Sequence, residues 1–71
     1  MKFERALLHL KKGKSIRRIR KTSSVILQLK YEKYFWCKYI FQSGKEFTER
    51  NYKITKEDLY AENWEMTDEI I

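Results

Sequence analysis

Thr55-Lys56-Glu57-Asp58-Leu59-Tyr60-Ala61-Glu62-Asn63-Trp64-Glu65 is the stretch from which the fold can be read. Thr55 and Asp58, three positions apart, form a helix-start pair. The hydroxyl accepts from an orphan N–H of the first turn, and the carboxylate reaches back to the N–H of the cap. One or two helical turns follow over residues 56–61. Beyond them Asn63-Trp64-Glu65-Met66-Thr67 alternates outward polar with inward apolar residues, the period of a closing β-strand with Trp64 in the core.

Working outward from this stretch gives the rest of the sheet. Ile16, Arg18 and Arg20 alternate with Arg17 and Ile19, which predicts a short strand over residues 15–20. Lys21-Thr22-Ser23-Ser24 is polar and reads as a turn, and the β-branched, apolar run Val25–Tyr31 as a strand. Glu32-Lys33 fits a tight turn. Tyr34–Gln42 holds six aromatic or β-branched residues in nine positions, so it is expected to be the central strand. Ser43-Gly44-Lys45 is a hairpin signal, with a return strand over residues 46–50. At the start of the chain, Phe3, Ala6, Leu7 and Leu10 fall on one face of a helix over residues 3–12. Lys11 and Lys12 suit its C-terminus, and Gly13 supplies a left-handed cap. The tail Asp68–Ile71 is expected to fray. The fold class is α+β: an N-terminal helix packed on a small antiparallel sheet of four to five strands, with a short helical turn before the last strand.

The chain has 71 residues and is read as one domain, residues 1–71. A chain this short buries only about 60% of the surface its unfolded form exposes. Cys37 is the only cysteine and His9 the only histidine, so neither a disulfide framework nor a Cys/His metal site can staple it. An aromatic-rich core, self-association, or both must supply the stability. The opening residues do not form a secretory h-region, and no apolar run approaches the roughly 20 residues of a membrane span. With its free cysteine, the chain is expected in the cytoplasm, with no membrane partner. The net charge of +6 is uneven: residues 1–38 hold twelve Lys/Arg against Glu4 and Glu32, and residues 39–71 hold four against eight Asp/Glu. A basic half attracts phosphate-bearing partners, and the acidic half can neutralise it within one subunit or across an oligomer.

Three elements resemble the Thoeris anti-defence protein two family. The first is Met-Lys-Phe-Glu-Arg-Ala-Leu-Leu-His-Leu-Lys-Lys-Gly-Lys-Ser-Ile-Arg-Arg at residues 1–18. The second is the strand pair turning at Ser43-Gly44-Lys45. The third is the ending Thr55-x-x-Asp58-Leu59-x-Ala61-x-Asn63-Trp64-Glu65. The resemblance implies phage proteins of the host bacterial cytoplasm that assemble as homo-oligomers, dimers or tetramers. They sequester cyclic nucleotide immune signals (cyclic ADP-ribose isomers, cyclic dinucleotides) without cleaving them. This chain departs from the family pattern at three places. Arg20-Lys21 stands near the family's Gly-Trp pair, Tyr52 replaces a tryptophan ahead of the capping residue, and Asn63 replaces an acidic residue before Trp64.

The residues offer binding chemistry rather than catalysis, and no enzymatic activity or cofactor is expected. His9 reads as a partly exposed helix residue and Cys37 as a small buried hydrophobe. Asp58 and Glu62 share a helical turn and are better explained by capping and solvation than by acid–base work. Arg17, Arg18, Arg20 and Lys21 form a cationic strand edge in which the planar forks of the arginines match phosphate oxygens, or else a solvated, aggregation-blocking edge. Arg18 and Arg20 share one face and Arg17 takes the other. On the strand over residues 34–42, Phe35, Cys37, Tyr39 and Phe41 make the better core face. Tyr34 and Trp36, beside Lys38, then form a ligand wall or subunit interface. Aromatic rings of this kind stack on bases for roughly 1–3 kcal/mol each. Tyr52 is a stacking candidate by its place in the family pattern. Thr55 and Asp58 are a cap first, and Asp58 could also bond a ribose hydroxyl or an adenine amine. The candidate ligand-binding set is therefore Arg17, Arg18, Arg20, Tyr34, Trp36, Tyr52, Thr55 and Asp58. Two other functions stay open: a protein- or RNA-directed inhibitor of a host defence nuclease, with the acidic segment 57–69 mimicking nucleic acid, and a small basic nucleic-acid-binding module.

Overall fold

The computed structural model describes residues 1–69 and 71. The elements run α1 (Phe3–Lys11), β1 (Ser15–Ile19), β2 (Ser23–Lys30), β3 (Tyr34–Phe41), β4 (Glu46–Glu49), α2 (Lys56–Tyr60) and β5 (Glu65–Thr67). The five strands form one antiparallel sheet in the order β4-β3-β2-β1-β5. The α+β class and the short helix before the last strand are as expected.

Three expectations about the sheet are corrected. The central strand is β2, not β3, because β5 adds beyond β1 and moves the middle of the sheet by one place. For the same reason β1 is not an edge. Strand β2 also starts at Ser23, inside the stretch expected to be a turn. Ser23 and Ser24 pair with Phe41 and Ile40, and the reversal is confined to residues 20–22, where the Arg20 N–H donates to the Ser23 carbonyl at 2.7 Å.

The apolar stripe of α1 packs on the sheet face that carries Ile16, Val25, Leu27 and Cys37, with Phe3, Ala6 and Leu10 buried against them. Helix α1 ends in a Schellman motif. The Lys14 N–H donates to the His9 carbonyl and the Gly13 N–H to that of Leu10, with Gly13 at φ 85° where only glycine sits without strain. Trp64 closes this core. Its ring meets Phe3 edge to face at 5.6 Å between centroids, an arrangement worth about 0.5–1.5 kcal/mol beyond area burial. The Trp64 main chain also exchanges two hydrogen bonds with Met1, the Met1 nitrogen donating at 2.6 Å and the Trp64 N–H at 3.1 Å.

The Phe35/Cys37/Tyr39/Phe41 side of β3 does face the helix. Cys37 is buried and Phe35 and Tyr39 pack on the core, while Phe41 at the strand end stays exposed. Burial pushes the Cys37 thiol up to about 12. Native protein at pH 8 is therefore expected to resist iodoacetamide and to be alkylated fully in denaturing urea, as read by intact mass; rapid native alkylation would contradict this burial.

On the opposite face Ile26 is buried between its cross-strand neighbours Arg17 and Lys38. Glu69 and Ile71 are tied to this face, rather than frayed as expected. The Glu69 carboxylate lies 3.6 Å from Lys38 Nζ, and the Ile71 N–H donates to Gln28 Oε1 at 3.2 Å. The part of that expectation concerning residue 70 lies outside the described residues.

Candidate functional site

The site is built on Asp58, whose side chain is fully buried. The Thr55–Asp58 capping box forms as predicted: the Asp58 N–H donates to Thr55 Oγ1 at 3.2 Å and the Thr55 N–H to Asp58 Oδ2 at 2.9 Å. The carboxylate does more than cap. Oδ2 also accepts from the Tyr52 hydroxyl at 2.6 Å, and Oδ1 accepts from Arg18 Nη2 at 2.7 Å. The Asp58 carbonyl accepts from the Trp64 indole N–H at 2.8 Å. Burial alone would raise the Asp58 carboxyl, but the hydrogen bonds from Tyr52, Thr55 and Arg18 outweigh it and hold the group below the ordinary aspartate range. Burial moves the Tyr39 and Tyr52 phenols upward, so both are neutral donors.

Arg18 is thereby fixed. Its side chain is only 12% exposed, its guanidinium lies 5.5 Å from the Trp64 ring centroid, and its Nε is buried without a hydrogen-bond partner. Beside it opens a cleft of about 740 Å³ between the β1–β2 turn and the start of α2, lined by Arg18, Ile19, Arg20, Lys21, Thr22, Tyr39, Tyr52, Thr55 and Glu57. That volume falls within the range of small-molecule sites, about 300–1,000 Å³. Arg20 and Lys21 have no carboxylate within ion-pair distance among the described residues. The cleft therefore offers two uncommitted cations, hydroxyls on Thr22 and Thr55, the Tyr39 ring, and the exposed Glu57 carboxylate as an acceptor.

Of the eight candidate residues, Arg18, Arg20, Tyr52 and Thr55 line this cleft, and Asp58 anchors it from below. Tyr52 is not a free stacking ring: it is 7% exposed and its hydroxyl is committed to Asp58. Asp58 has both carboxylate oxygens engaged with the protein itself, which replaces the expected bond to a ribose or adenine. Arg17 lies on the other face of the sheet, paired with Glu65 at 2.6 Å. Tyr34 and Trp36 sit at the opposite end of the sheet, since β3 carries them away from the β1–β2 turn. Tyr39, Lys21, Thr22 and Glu57 were not in the candidate set. Lys21 belongs to the cationic edge read from the sequence, but the others needed the register.

The uneven charge of the sequence also finds its explanation. Each ion pair among the described residues joins a cation from residues 1–38 to a carboxylate from residues 46–69: Lys2–Glu62, Arg17–Glu65, Arg18–Asp58, Lys38–Glu46 and Lys38–Glu69. Much of the acidic segment 57–69 is thus paired with the domain's own cations, which counts against its use as a nucleic-acid mimic.

A family model described as Thoeris anti-defense 2-like domain matches residues 1–67. The chain belongs to that family. No curated protein and no solved structure matches it. Membership in the Thoeris anti-defense 2-like family supports a role in countering the Thoeris defence. Asn63, where this chain departs from the family pattern, donates its amide to the Ile19 carbonyl at 3.0 Å, which a carboxylate could not do. Among the described residues, no group of three or more His, Cys, Asp or Glu side chains is placed to hold a metal ion, and no helix is long and apolar enough to cross a membrane.

Proposed function

We infer that the cleft takes a cyclic nucleotide immune signal, a cyclic ADP-ribose isomer or a cyclic dinucleotide, and holds it without breaking it. The observation that carries this reading is the grouping of the unpaired cations Arg20 and Lys21 with the Tyr39 ring in one concavity of nucleotide size. Arg20 and Lys21 take phosphate oxygens, and Tyr39 supplies the flat contact for a base. Thr55 and Glu57 answer ribose hydroxyls or an exocyclic amine. Family membership supports the biological setting, a phage product acting in the cytoplasm of its bacterial host. The action is stoichiometric: the protein lowers the free signal by mass action and is not an enzyme. Self-association into dimers or tetramers belongs to the same reading, and light scattering after size exclusion measures it.

The test is thermal. At ligand concentrations about 100 times Kd, binding adds about 2.7 kcal/mol, which for a domain of this size raises Tm by on the order of 10–20 °C. A panel of cyclic ADP-ribose isomers and cyclic dinucleotides should contain at least one ligand that does this, and heating the complex should release that ligand intact by mass spectrometry. A flat response across the whole panel, or release of a hydrolysed product, would refute the reading.

A further inference from the structure

At the far end of β2 from the cleft, roughly 23 Å away along the seven steps of the strand, a second concentration of chemistry lies outside the nucleotide site. Tyr31, Tyr34, Trp36, Arg50 and Asn51 line a separate cleft of about 250 Å³. Its rings are open to solvent at the rim: Tyr31 is 79% exposed and Tyr34 44%. Two cations stand on the Trp36 ring, the Arg50 guanidinium at 5.0 Å and the Lys30 ammonium at 5.4 Å from its centroid. Neither has a carboxylate within ion-pair distance among the described residues.

The backbone here is strained. The only non-glycine residues with positive φ among the described residues are Tyr31 (56°), Glu32 (58°) and Asn51 (61°), and Tyr31 and Asn51 both line this cleft. Asparagine tolerates that region, but a tyrosine there is a steric outlier. The expected two-residue turn at Glu32-Lys33 is instead a loop of residues 31–33 closed by the Lys33 N–H on the Lys30 carbonyl, and it presents the Tyr31 ring outward. Strain of this sort collects where a side chain must be held in a particular place.

We propose that this corner is a stacking platform for single-stranded nucleic acid. Exposed flat rings accept unstacked bases regardless of sequence, and flanking Lys and Arg follow the phosphates. A duplex keeps its bases stacked and cannot use the rings. A quaternary ammonium or methylated lysine, the other common guest of aromatic clusters, is disfavoured because Lys30 and Arg50 already hold the cation positions over Trp36. The charge fits an anionic strand.

The probes are fluorescein-labelled 12-mers of oligo(dT) and oligo(U), and a labelled duplex of the same length, titrated with the intact protein by anisotropy at low salt. Either single strand is expected to bind more tightly than the duplex. The decisive variant is Tyr31→Gly. Glycine suits φ 56°, so thermal stability should hold or rise, while affinity for the single strand falls by roughly 5- to 150-fold, the range expected for one lost base stack. Arg50→Glu should weaken binding and flatten its salt dependence. Lys45→Glu, the same charge change in the β3–β4 turn at the other end of the sheet, should leave affinity within about twofold. No binding of either strand, equal binding of the duplex, wild-type affinity in Tyr31→Gly, or an equal loss in Lys45→Glu would each overturn the proposal. None of these outcomes depends on the cyclic-nucleotide panel, so the two sites stand or fall separately.

Discussion

Replacing Asp58 with alanine is expected to remove about 3–5 kcal/mol, roughly half of the chain's stability. The substitution strands the Arg18 guanidinium, the Tyr52 hydroxyl and the Thr55 N–H inside the protein with nothing to receive them. Breaking a buried charge pair in this way costs about 3–5 kcal/mol. A domain of 71 residues has a total stability of roughly 4–10 kcal/mol. Urea titration followed by far-UV circular dichroism measures the loss, and a midpoint like that of the wild type would show that the network is ornamental. The double variant Arg18→Met with Asp58→Leu should recover part of the stability, because it removes both charges rather than one. The same carboxylate sets an acid limit. Its folded pKa lies below the unfolded value of about 3.9, so its contribution is complete above that value and is lost as pH falls through the folded pKa. Wild-type Tm should drop more steeply below pH 4 than that of any variant in which Asp58 has been replaced.

The second large effect is on binding. Arg20→Glu combined with Lys21→Glu should abolish the ligand-induced rise in Tm while leaving the ligand-free Tm almost unchanged. Both side chains are exposed, and neither is ion-paired among the described residues, so the fold loses little, within about 0.5 kcal/mol. Each charge-assisted hydrogen bond to a phosphate is worth about 1.5–3 kcal/mol, so losing two weakens binding by on the order of 100-fold or more, and the introduced carboxylates add repulsion. Isothermal titration with whichever cyclic nucleotide stabilises the wild type gives the number directly. Undiminished affinity would remove the β1–β2 turn from the site.

Local signals made much of this architecture legible. The spacing of Phe3, Ala6, Leu7 and Leu10, the Gly13 stop and the Thr55/Asp58 pair each describe an interaction within a few residues, and each forms as read. Alternation also assigned the buried side of β3 and separated Arg17 from Arg18 and Arg20. What alternation cannot supply is which strand lies next to which. The place of β5 beyond β1, and with it the centrality of β2, depends on pairing between residues some fifty positions apart, such as Arg17 with Glu65. The same limit governs the site. Asp58 is visible as a cap because Thr55 is close by in sequence, but its bond to Arg18 spans forty positions. Tyr39 enters the cleft only because its strand is in register with Val25 and Phe47. The strained Tyr31-Glu32 loop left no trace because neither residue is a usual occupant of left-handed backbone.

The antiparallel union of β1 with β5, reinforced by the clasp between Met1 and Trp64, has a consequence for how the protein comes into being on the ribosome. Residues 1–50 can gather α1 and four strands as they emerge, but they lack the tryptophan that fills the core and the aspartate that receives Arg18. A cationic, aromatic-rich nascent segment must therefore wait for Asp58 and Trp64. The cleft comes into existence only when residues 52–57 meet the β1–β2 turn.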